Sequence, residues 1–357
     1  MSLYAIQIWT IFELILIVLM ILLFSLTRWY INNLVKKNRK KKKKIIILLK
    51  EINDNPNALT PQIVDFFNRS ILELLLCMEK AERKNTNNPN WDRTKKLLSE
   101  HVLKNQSIKL SKSNHWFKKQ LTLLCYELGF NLDNEKTLLK FVNDNNLIIS
   151  INAAIQLFKN TNPNPSAINE VITTFSKGRH ILQNTLAALL TTVPSASLGL
   201  LRTIFIARLN EEKDTYVRIF CYRILMHLER PDKLESFVEE DLSSENVDLK
   251  ILTLKYVAHA AQINSSPILL RYLNDTNDDV RSTIVKLFGE IGDESLIPYL
   301  NNGLKDSEWW IRINSANSLL KLGTKGIAVL HEQSPQIDKF AYETAQSCLK
   351  IYQSTSG

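Results

Sequence analysis

The chain has few of the residue groupings that carry catalysis or hold a metal ion. Its four cysteines are far apart and form no CxxC pair, and none of its six histidines lies three or four residues from another. It also lacks a glycine-rich phosphate loop, GxGxxG and GxSxG motifs and a paired-carboxylate motif. We therefore expect a chain that is not an enzyme, with no cofactor, no metal ion and no small-molecule substrate.

Two further features are absent and narrow the class of protein. No segment has the two-residue hydrophobic period of a β-strand, which predicts an all-α fold. Residues 1–50 contain ten Lys/Arg and one acid, whereas the rest of the chain contains 35 Lys/Arg and 35 acids. The net charge of +9 therefore belongs to the first fifty residues. Since the rest of the chain has no excess of positive charge, no nucleic-acid partner is expected.

The amino-terminal segment is the one long apolar run. Leu3 to Leu26 contains only four polar residues and is long enough to cross a bilayer core of ~30 Å. A secretory signal peptide is the alternative. No Lys or Arg precedes this run, the run exceeds a signal-peptide core in length, and no small-residue cleavage site follows it. We therefore predict a retained transmembrane anchor at residues 1–28, ending near Trp29 and Tyr30 at the interface.

A basic segment, residues 29–50, follows the predicted span. Its charges are Lys36, Lys37, Arg39, Lys40, Lys41, Lys42, Lys43 and Lys44. By the positive-inside rule they place the amino terminus outside and the following chain in the cytoplasm, which predicts a single-pass protein of the inner membrane. These side chains are expected to rest on anionic lipid. A nucleic-acid contact and a phosphoinositide-like site are the sharper alternatives.

Glu13 is an ionisable residue inside the predicted span. One interpretation is a neutral, protonated side chain that the apolar helix tolerates. The other is an intramembrane polar contact with a second membrane protein or a second copy of this chain, since intramembrane carboxylates usually face protein. The sequence leaves both open.

An apolar residue begins a repeated pattern seven times along the remaining chain. We call this residue position 0 of each copy. The seven residues are Phe117, Ile149, Ile181, Val217, Leu249, Val280 and Ile311. Apolar residues recur at +5, +8 and +11, which places them on one face of a helix. A period of 31–36 residues is typical of stacked helix pairs that present a long surface to other macromolecules.

The last two copies, DDVRSTIVKLFGEIGD and SEWWIRINSANSLLKLG, are the most regular. Their glycines at +12, Gly292 and Gly323, are expected to end the helix with positive φ. The pattern resembles HEAT repeats, in the short bacterial form of the phycobilin-lyase type. This resemblance implies a right-handed α-solenoid of about six to seven helix pairs over residues 113–357. It also implies that an acid before the second helix and a base at its start form a ladder between repeats. The matching residues are Asp275, Arg281, Asp306 and Arg312.

Residues 51–112 are expected to form helices that cap the membrane-proximal end of the solenoid. One helix is predicted from Gln62 to about Lys84, and Ser107 to Ser113 is interpreted as a polar linker. Trp309 and Trp310 lie at the predicted turn before Ile311. Packing between repeats accounts for one of them, and a partner contact by the other is the alternative, because Trp is enriched in binding hot spots.

These expectations favour a membrane-anchored scaffold. The solenoid would bind and position a protein partner, itself membrane-associated, in an envelope or polysaccharide secretion system. The secretion role rests on analogy between folds. Two alternatives stay open. One is an enzyme like the HEAT-like bilin lyases, although no chromophore site is recognisable here. The other is a nucleic-acid-binding HEAT protein, which would need positive residues clustered on one face.

Overall fold

The computed structural model describes residues 20, 39–85, 88–129, 135–178, 180–228, 234–259 and 265–356. All regular elements in these ranges are helical, which confirms the predicted all-α class for the described residues. The predicted span Leu3–Leu26, except Met20, lies outside them, as do Glu13, Lys36 and Lys37. None of the helices within these ranges is both long and apolar enough to cross a membrane.

The chain divides into two units, Met1–Ser197 and Leu198–Gly357. Helices of the first unit are α1 (Arg39–Asp54), α2 (Pro61–Arg69), α3 (Ile71–Glu82), α4 (Pro89–Leu98), α5 (Lys104–Ser111), α6 (Trp116–Leu128), α7 (Glu135–Val142), α8 (Leu147–Phe158), α9 (Pro165–Ser176) and α10 (His180–Leu189). Those that follow are α11 (Ser195–Glu211), α12 (Thr215–Leu225), α13 (Phe237–Leu242), α14 (Val247–His259), α15 (Ser266–Leu270), α16 (Asp278–Ile291), α17 (Ile297–Gly303), α18 (Trp309–Lys321), α19 (Thr324–His331) and α20 (Lys339–Ser356). From α7 onward the described helices alternate between the first and second members of helix pairs.

Local sequence explains where several helices begin and end. Asn146, Asp214 and Asn277 cap α8, α12 and α16, because each side chain accepts a hydrogen bond from backbone N–H groups of the first turn. Both glycines predicted at +12 have positive φ, 74° at Gly292 and 70° at Gly323. Gly292 is a left-handed C-cap, whereas Gly323 serves as the N-cap of α19.

The helices near the amino terminus pack around one apolar core. The second half of α1 contributes the buried residues Ile45, Leu49 and Ile52, so this helix crosses the domain boundary expected at residue 50. The predicted helix from Gln62 to Lys84 is two helices, because the backbone leaves helical geometry at Ser70 (φ −125°, ψ 34°).

The interpretation of Ser107–Ser113 as a polar linker is wrong for most of its length, since α5 includes residues 107–111. The serine hydroxyls explain how a polar stretch remains helical. Ser107 Oγ donates to the carbonyl oxygen of Lys104 at 2.8 Å, and Ser111 Oγ donates to that of Ile108 at 2.9 Å. Ser107 and Leu110 are buried, so this helix belongs to the core of the first unit.

The apolar positions of the repeat fill the interior of each helix pair. Leu225, Val257, Phe288 and Leu319, all at +8, are buried. The third copy departs from the prediction by one residue. Leu186 and Ala187 of α10 are buried, as are Leu190 and Val193 after it. They fall at +4, +5, +8 and +11 when the pattern begins at Leu182.

Candidate functional site

Ion pairs join successive repeats at the start of their second helices. In the second unit, Lys250 Nζ lies 2.9 Å from Asp275, and Arg281 donates to both oxygens of Asp306 at 3.0 and 3.1 Å. Lys119 pairs with Asp144 in the same way in the first unit. Each base precedes its acid by 25 residues. The pairing of Arg281 with Asp306 has the geometry that the resemblance to HEAT repeats implies.

A buried version of this contact was not expected from the sequence. Arg218 donates to both oxygens of Asp241 at 2.6 Å and to the backbone carbonyls of Leu209 and Glu212. Tyr222 donates its hydroxyl to the same carboxylate at 2.6 Å. Burial opposes the charge on Arg218, but the hydrogen bonds and the charge of Asp241 raise its pKa overall. Asp241 could not be predicted as the partner of Arg218, because it lies 23 residues further along the chain, inside the short helix α13.

Neutral side chains take this place in the second and third copies. Ser150 Oγ donates to the carbonyl of Val142, and Gln183 Nε2 donates to those of Phe175 and Ser176. Gln183 is 2% exposed and follows Leu182, which is the true position 0 of its copy. Because the predicted pattern began one residue too early, the sequence did not place Gln183 at +1.

The last base of the series, Arg312, has a different environment. Its Nη1 donates to the carbonyl oxygens of Asp306 and Ser307, both at 2.8 Å, and its guanidinium lies 5.3 Å from the centroid of the Phe340 ring. Its buried Nε has no hydrogen-bond partner within the part of the chain that the structure describes. The residue 25 positions further along is Ile337, which is 78% exposed.

Arg312 lies at an open cleft between α18 and α20, which we call the C-terminal cleft. Its cavity has a volume of about 630 Å³. The lining residues are Trp309, Arg312, Ile313, Asn317, Leu320, Phe340, Glu343, Thr344, Ser347, Cys348, Ile351 and Tyr352. Six of them are apolar or aromatic residues that are exposed or partly buried, namely Trp309, Ile313, Leu320, Phe340, Ile351 and Tyr352. The cleft therefore offers a largely apolar surface on which Arg312 is the only lining cation.

The two tryptophans begin α18 and do not lie in the turn before it, as the sequence analysis expected. Their ring centroids are 4.3 Å apart at an interplanar angle of 57°. Each is 48% exposed, so the structure does not show one packed away and the other presented. Trp309 lines the cleft, and the ring of Trp310 packs beside that of Trp309.

Three neighbouring second helices of the second unit each carry one basic residue at the same repeat position. Arg223, Lys255 and Lys286 all occupy position +6, on α12, α14 and α16, which pack side by side. We call these residues the basic stripe. Partial burial lowers the pKa of Lys255, and the positive charges of Lys286 and Arg223 lower it further, against the opposing effect of Glu290. Lys255 is therefore close enough to both other members of the stripe to be affected by their charges.

The described part of the basic segment forms the start of α1. Lys41 lies 3.8 Å from Glu73, and the ammonium group of Lys44 lies 4.8 Å from the centroid of the Phe66 ring. Lys40, Lys41, Lys43 and Lys44 are exposed, as are Ile46 and Ile47 one turn further on, whereas Lys42 is half-buried. Arg39 is the first residue of the helix. This end of α1 thus carries lysines and two isoleucines at the surface.

Metal-binding potential is limited in the ranges that the structure covers. They hold no group of three or more His, Cys, Asp or Glu side chains with metal-site geometry. Burial raises the pKa of the Cys125 thiol to about 12 and that of Cys221 further. Buried, protonated thiols are poor nucleophiles and poor metal ligands.

Part of the chain matches a known family of repeats. Residues 266–339, which contain α15 to α19, match the family described as HEAT repeats. Comparison with curated proteins gave no match.

Two solved structures are similar over much of their length. Human deoxyhypusine hydroxylase in complex with glycerol is 12% identical, with 72% of this chain and 99% of that chain covered and a TM-score of 0.29. An engineered protein from the Northeast Structural Genomics Consortium is also 12% identical, with 87% and 94% covered and a TM-score of 0.33. TM-scores this low support no argument about function or detailed fold.

Proposed function

We propose that this protein is a membrane-anchored scaffold that binds a protein partner at the C-terminal cleft. The observation that supports the binding site is the exposure of Trp309 and Phe340 at one cavity next to Arg312, with the exposed Trp310 ring packed beside that of Trp309. Tryptophan and arginine are the residues most enriched in binding hot spots. Exposed aromatic clusters of this kind are typical of interaction sites and are uncommon on surfaces without a partner.

The membrane part of the proposal rests on the sequence and on α1. Leu3–Leu26 supplies an apolar run of spanning length, and the basic segment follows it. The exposed lysines of α1, with Ile46 and Ile47 beside them, suit an anionic lipid surface, where each basic residue contributes about 1 kcal/mol. We place the repeats in the cytoplasm. Tethering would raise the local concentration of the scaffold, so a weak contact with a membrane-associated partner would be sufficient.

Site-specific photo-crosslinking tests the binding site. p-Benzoylphenylalanine replaces Trp310 in the full-length protein, which is then irradiated in its native membranes. The control places the same residue at Tyr216, an exposed aromatic on α12 that does not line the cleft. We expect a discrete adduct from position 310 that is absent from position 216 and is lost when Trp309 and Phe340 are changed to Ala. The same adducts from both positions would contradict the proposed site.

Topology mapping tests the membrane part. A cysteine-accessibility assay on intact cells, with reporter cysteines at residue 2 and at Ser356, should label only the amino-terminal one from outside. Changing Lys40 to Lys44 to Gln should weaken this orientation. Labelling that does not change in this variant would assign the lysines another role.

The basic stripe favours nucleic-acid binding as a second candidate function. Three cations at +6 on neighbouring helices could contact a phosphate backbone. Three phosphate contacts would make the logarithm of the affinity for duplex DNA fall by roughly 2.7 per tenfold rise in salt. Filter binding with wild type and with a Lys255→Gln/Lys286→Gln variant measures this slope. Weak binding with no difference between the two proteins would remove this candidate.

A further inference from the structure

In the ion pairs between successive repeats, the basic side chains bind carboxylates. Lys250 and Arg281 lie one residue after position 0 and each receives a carboxylate from the turn before the next second helix. Arg281 uses two donors on the two oxygens of Asp306, which is the bidentate geometry that a guanidinium and a carboxylate prefer. Its remaining nitrogen holds carbonyl oxygens of the preceding turn.

Arg312 repeats half of this arrangement and lacks the other half. Its Nη1 holds the carbonyls of Asp306 and Ser307 as Arg281 holds those of Asp275 and Thr276. No carboxylate lies within 4.0 Å of Arg312 among the described residues. The turn that would supply one is Ser334-Pro335-Gln336-Ile337, which has no acid.

The Arg312 side chain is next to accessible space, although its Nε is itself buried. This residue lines both the C-terminal cleft and a smaller cavity of about 230 Å³ that also contacts Asp338 and Phe340. Asp338 does not replace the missing acid. Its Oδ1 accepts the backbone N–H of Ala341 as the cap of α20, and its carboxylate makes no ion pair with Arg312 among the described residues. A buried N–H group without a partner is costly, which gives an incoming acceptor an advantage at this position.

We propose that Arg312 binds a carboxylate from an acidic residue of the partner, with apolar residues on either side of that acid entering the C-terminal cleft. This inference rests on the proposed function and names the chemistry of its partner. The apolar flanks follow from Trp309, Ile313 and Phe340, which line the cleft beside the guanidinium.

The surrounding charges favour a carboxylate over a phosphate. Asp306, Asp338 and Glu343 line the two cavities beside Arg312, and Lys305 is the other cation there. Asp306 is already paired with Arg281. A phosphate group with a charge near −2 would meet these carboxylates at close range, whereas a single carboxylate fits the one unsatisfied guanidinium.

A pair of small peptides tests this subsite without knowledge of the partner. The probe is acetyl-Leu-Asp-Phe-amide, and its matched control is acetyl-Leu-Asn-Phe-amide, which has the same shape without the charge. Each is titrated into the full-length protein labelled with ¹⁵N at arginine side chains, and the Arg312 Nε resonance is assigned by its loss in Arg312→Lys. We expect the Asp peptide to shift this resonance and to bind about tenfold more tightly than the Asn peptide, since hydrogen bonds to charged groups are stronger. Equal binding of the two peptides, or no shift of this resonance, would overturn the proposal.

Variants that restore the missing acid give an independent test. Ile337→Asp places a carboxylate 25 residues after Arg312, and Gln336→Asp covers the other register, because α20 begins 30 residues after α18 whereas α18 begins 31 residues after α16. At least one of them should pair with Arg312, raise the melting temperature and abolish the preference for the Asp peptide. The matched controls Ile337→Asn and Gln336→Asn should leave that preference intact.

The outcomes separate this inference from the proposed function. If both acid variants retain the full preference, Arg312 is not the carboxylate site and the inference is wrong. If the crosslinked adduct at position 310 persists while the peptides bind equally, the cleft still binds protein but does not select an acid. If the peptides discriminate and no adduct forms, the subsite exists and the scaffold proposal fails.

Discussion

The buried pair between Arg218 and Asp241 yields a sharp prediction about what stabilises the second unit. The two side chains are 6% and 3% exposed. Replacing Arg218 by Ala leaves the Asp241 carboxylate buried with Tyr222 as its remaining donor and removes the donor to the carbonyls of Leu209 and Glu212. Breaking a buried ion pair by removing one partner typically costs about 3–5 kcal/mol.

An exposed pair on the same unit is the matched control. Arg271 and Glu239 form a similar contact at 2.8 Å, but their side chains are 50% and 63% exposed. Water screens this interaction, so Arg271→Ala should cost less than about 1 kcal/mol. For a unit of this size, 1 kcal/mol corresponds to about 2–4 °C in melting temperature. We therefore expect Arg218→Ala to lower the melting temperature by roughly 6–20 °C and Arg271→Ala by less than about 4 °C.

Thermal unfolding of the full-length protein by circular dichroism measures both effects, and hydrogen exchange with mass spectrometry assigns the loss to the second unit. Arg218→Met combined with Asp241→Leu and Tyr222→Phe should recover much of the stability, because no charge is then buried without a partner. If Arg218→Ala costs no more than Arg271→Ala, the argument from burial is wrong.

Three further predictions follow from the same unit and from the cysteines. Burial raises the pKa of Cys125 to about 12 and that of Cys221 further. Neither thiol should therefore react with a disulfide reagent at pH 8 until denaturant is added. Mass spectrometry identifies the labelled residue, and labelling of the native protein would contradict the burial of these thiols. Burial opposes ionisation of Asp306, but hydrogen bonds from Arg281 and the Glu308 N–H hold its pKa below the usual value. The stability that the ionised carboxylate contributes is therefore complete above about pH 4, and it is lost as the pH falls through the lower folded pKa. Melting temperature between pH 5 and pH 2 should therefore fall less steeply in Asp306→Asn than in wild type. Gly326→Ala places Cβ 2.0 Å from the carbonyl oxygen of Leu319 and should destabilise the protein by about 1–3 kcal/mol. The loss should exceed that of Gly292→Ala, whose new Cβ meets nothing within 4 Å and which tests only the positive φ. A smaller loss at Gly326 than at Gly292 in urea denaturation would contradict this close approach of α19 to α18.

The sequence predicted the parts of the fold in which one residue type has one structural meaning. The apolar column at +8 and the two positive-φ glycines are of this kind, because only core packing explains the first and only a left-handed turn the second. The pairing of Arg281 with Asp306 was implied by the resemblance to HEAT repeats.

The parts that escaped prediction have several physically equivalent interpretations. In α10 the adjacent residues Ile181 and Leu182 are both apolar, and apolar residues follow at +5 and +8 in either register. The burial of Ala187 and Leu190 favours the register that begins at Leu182. Ser107–Ser111 is polar, and its helical state depends on hydroxyls that satisfy their own backbone carbonyls. The cleft could not be predicted because it depends on how far apart the faces of α18 and α20 lie, which no local pattern encodes.

The candidate site is best understood as the place where the repeat stops following its own pattern. Packing explains why the copies keep their apolar column. It does not explain why the last copy leaves the Nε of Arg312 without a partner or why two tryptophans begin α18 half-exposed. Both features are unfavourable for the protein without a partner, because one leaves a hydrogen bond unformed and the other leaves aromatic surface exposed. Arg312 and Trp309 also line the same cavity. Local departures that cost stability are expected where a surface serves binding, so their coincidence is the strongest argument that the C-terminal cleft is the functional part of this chain.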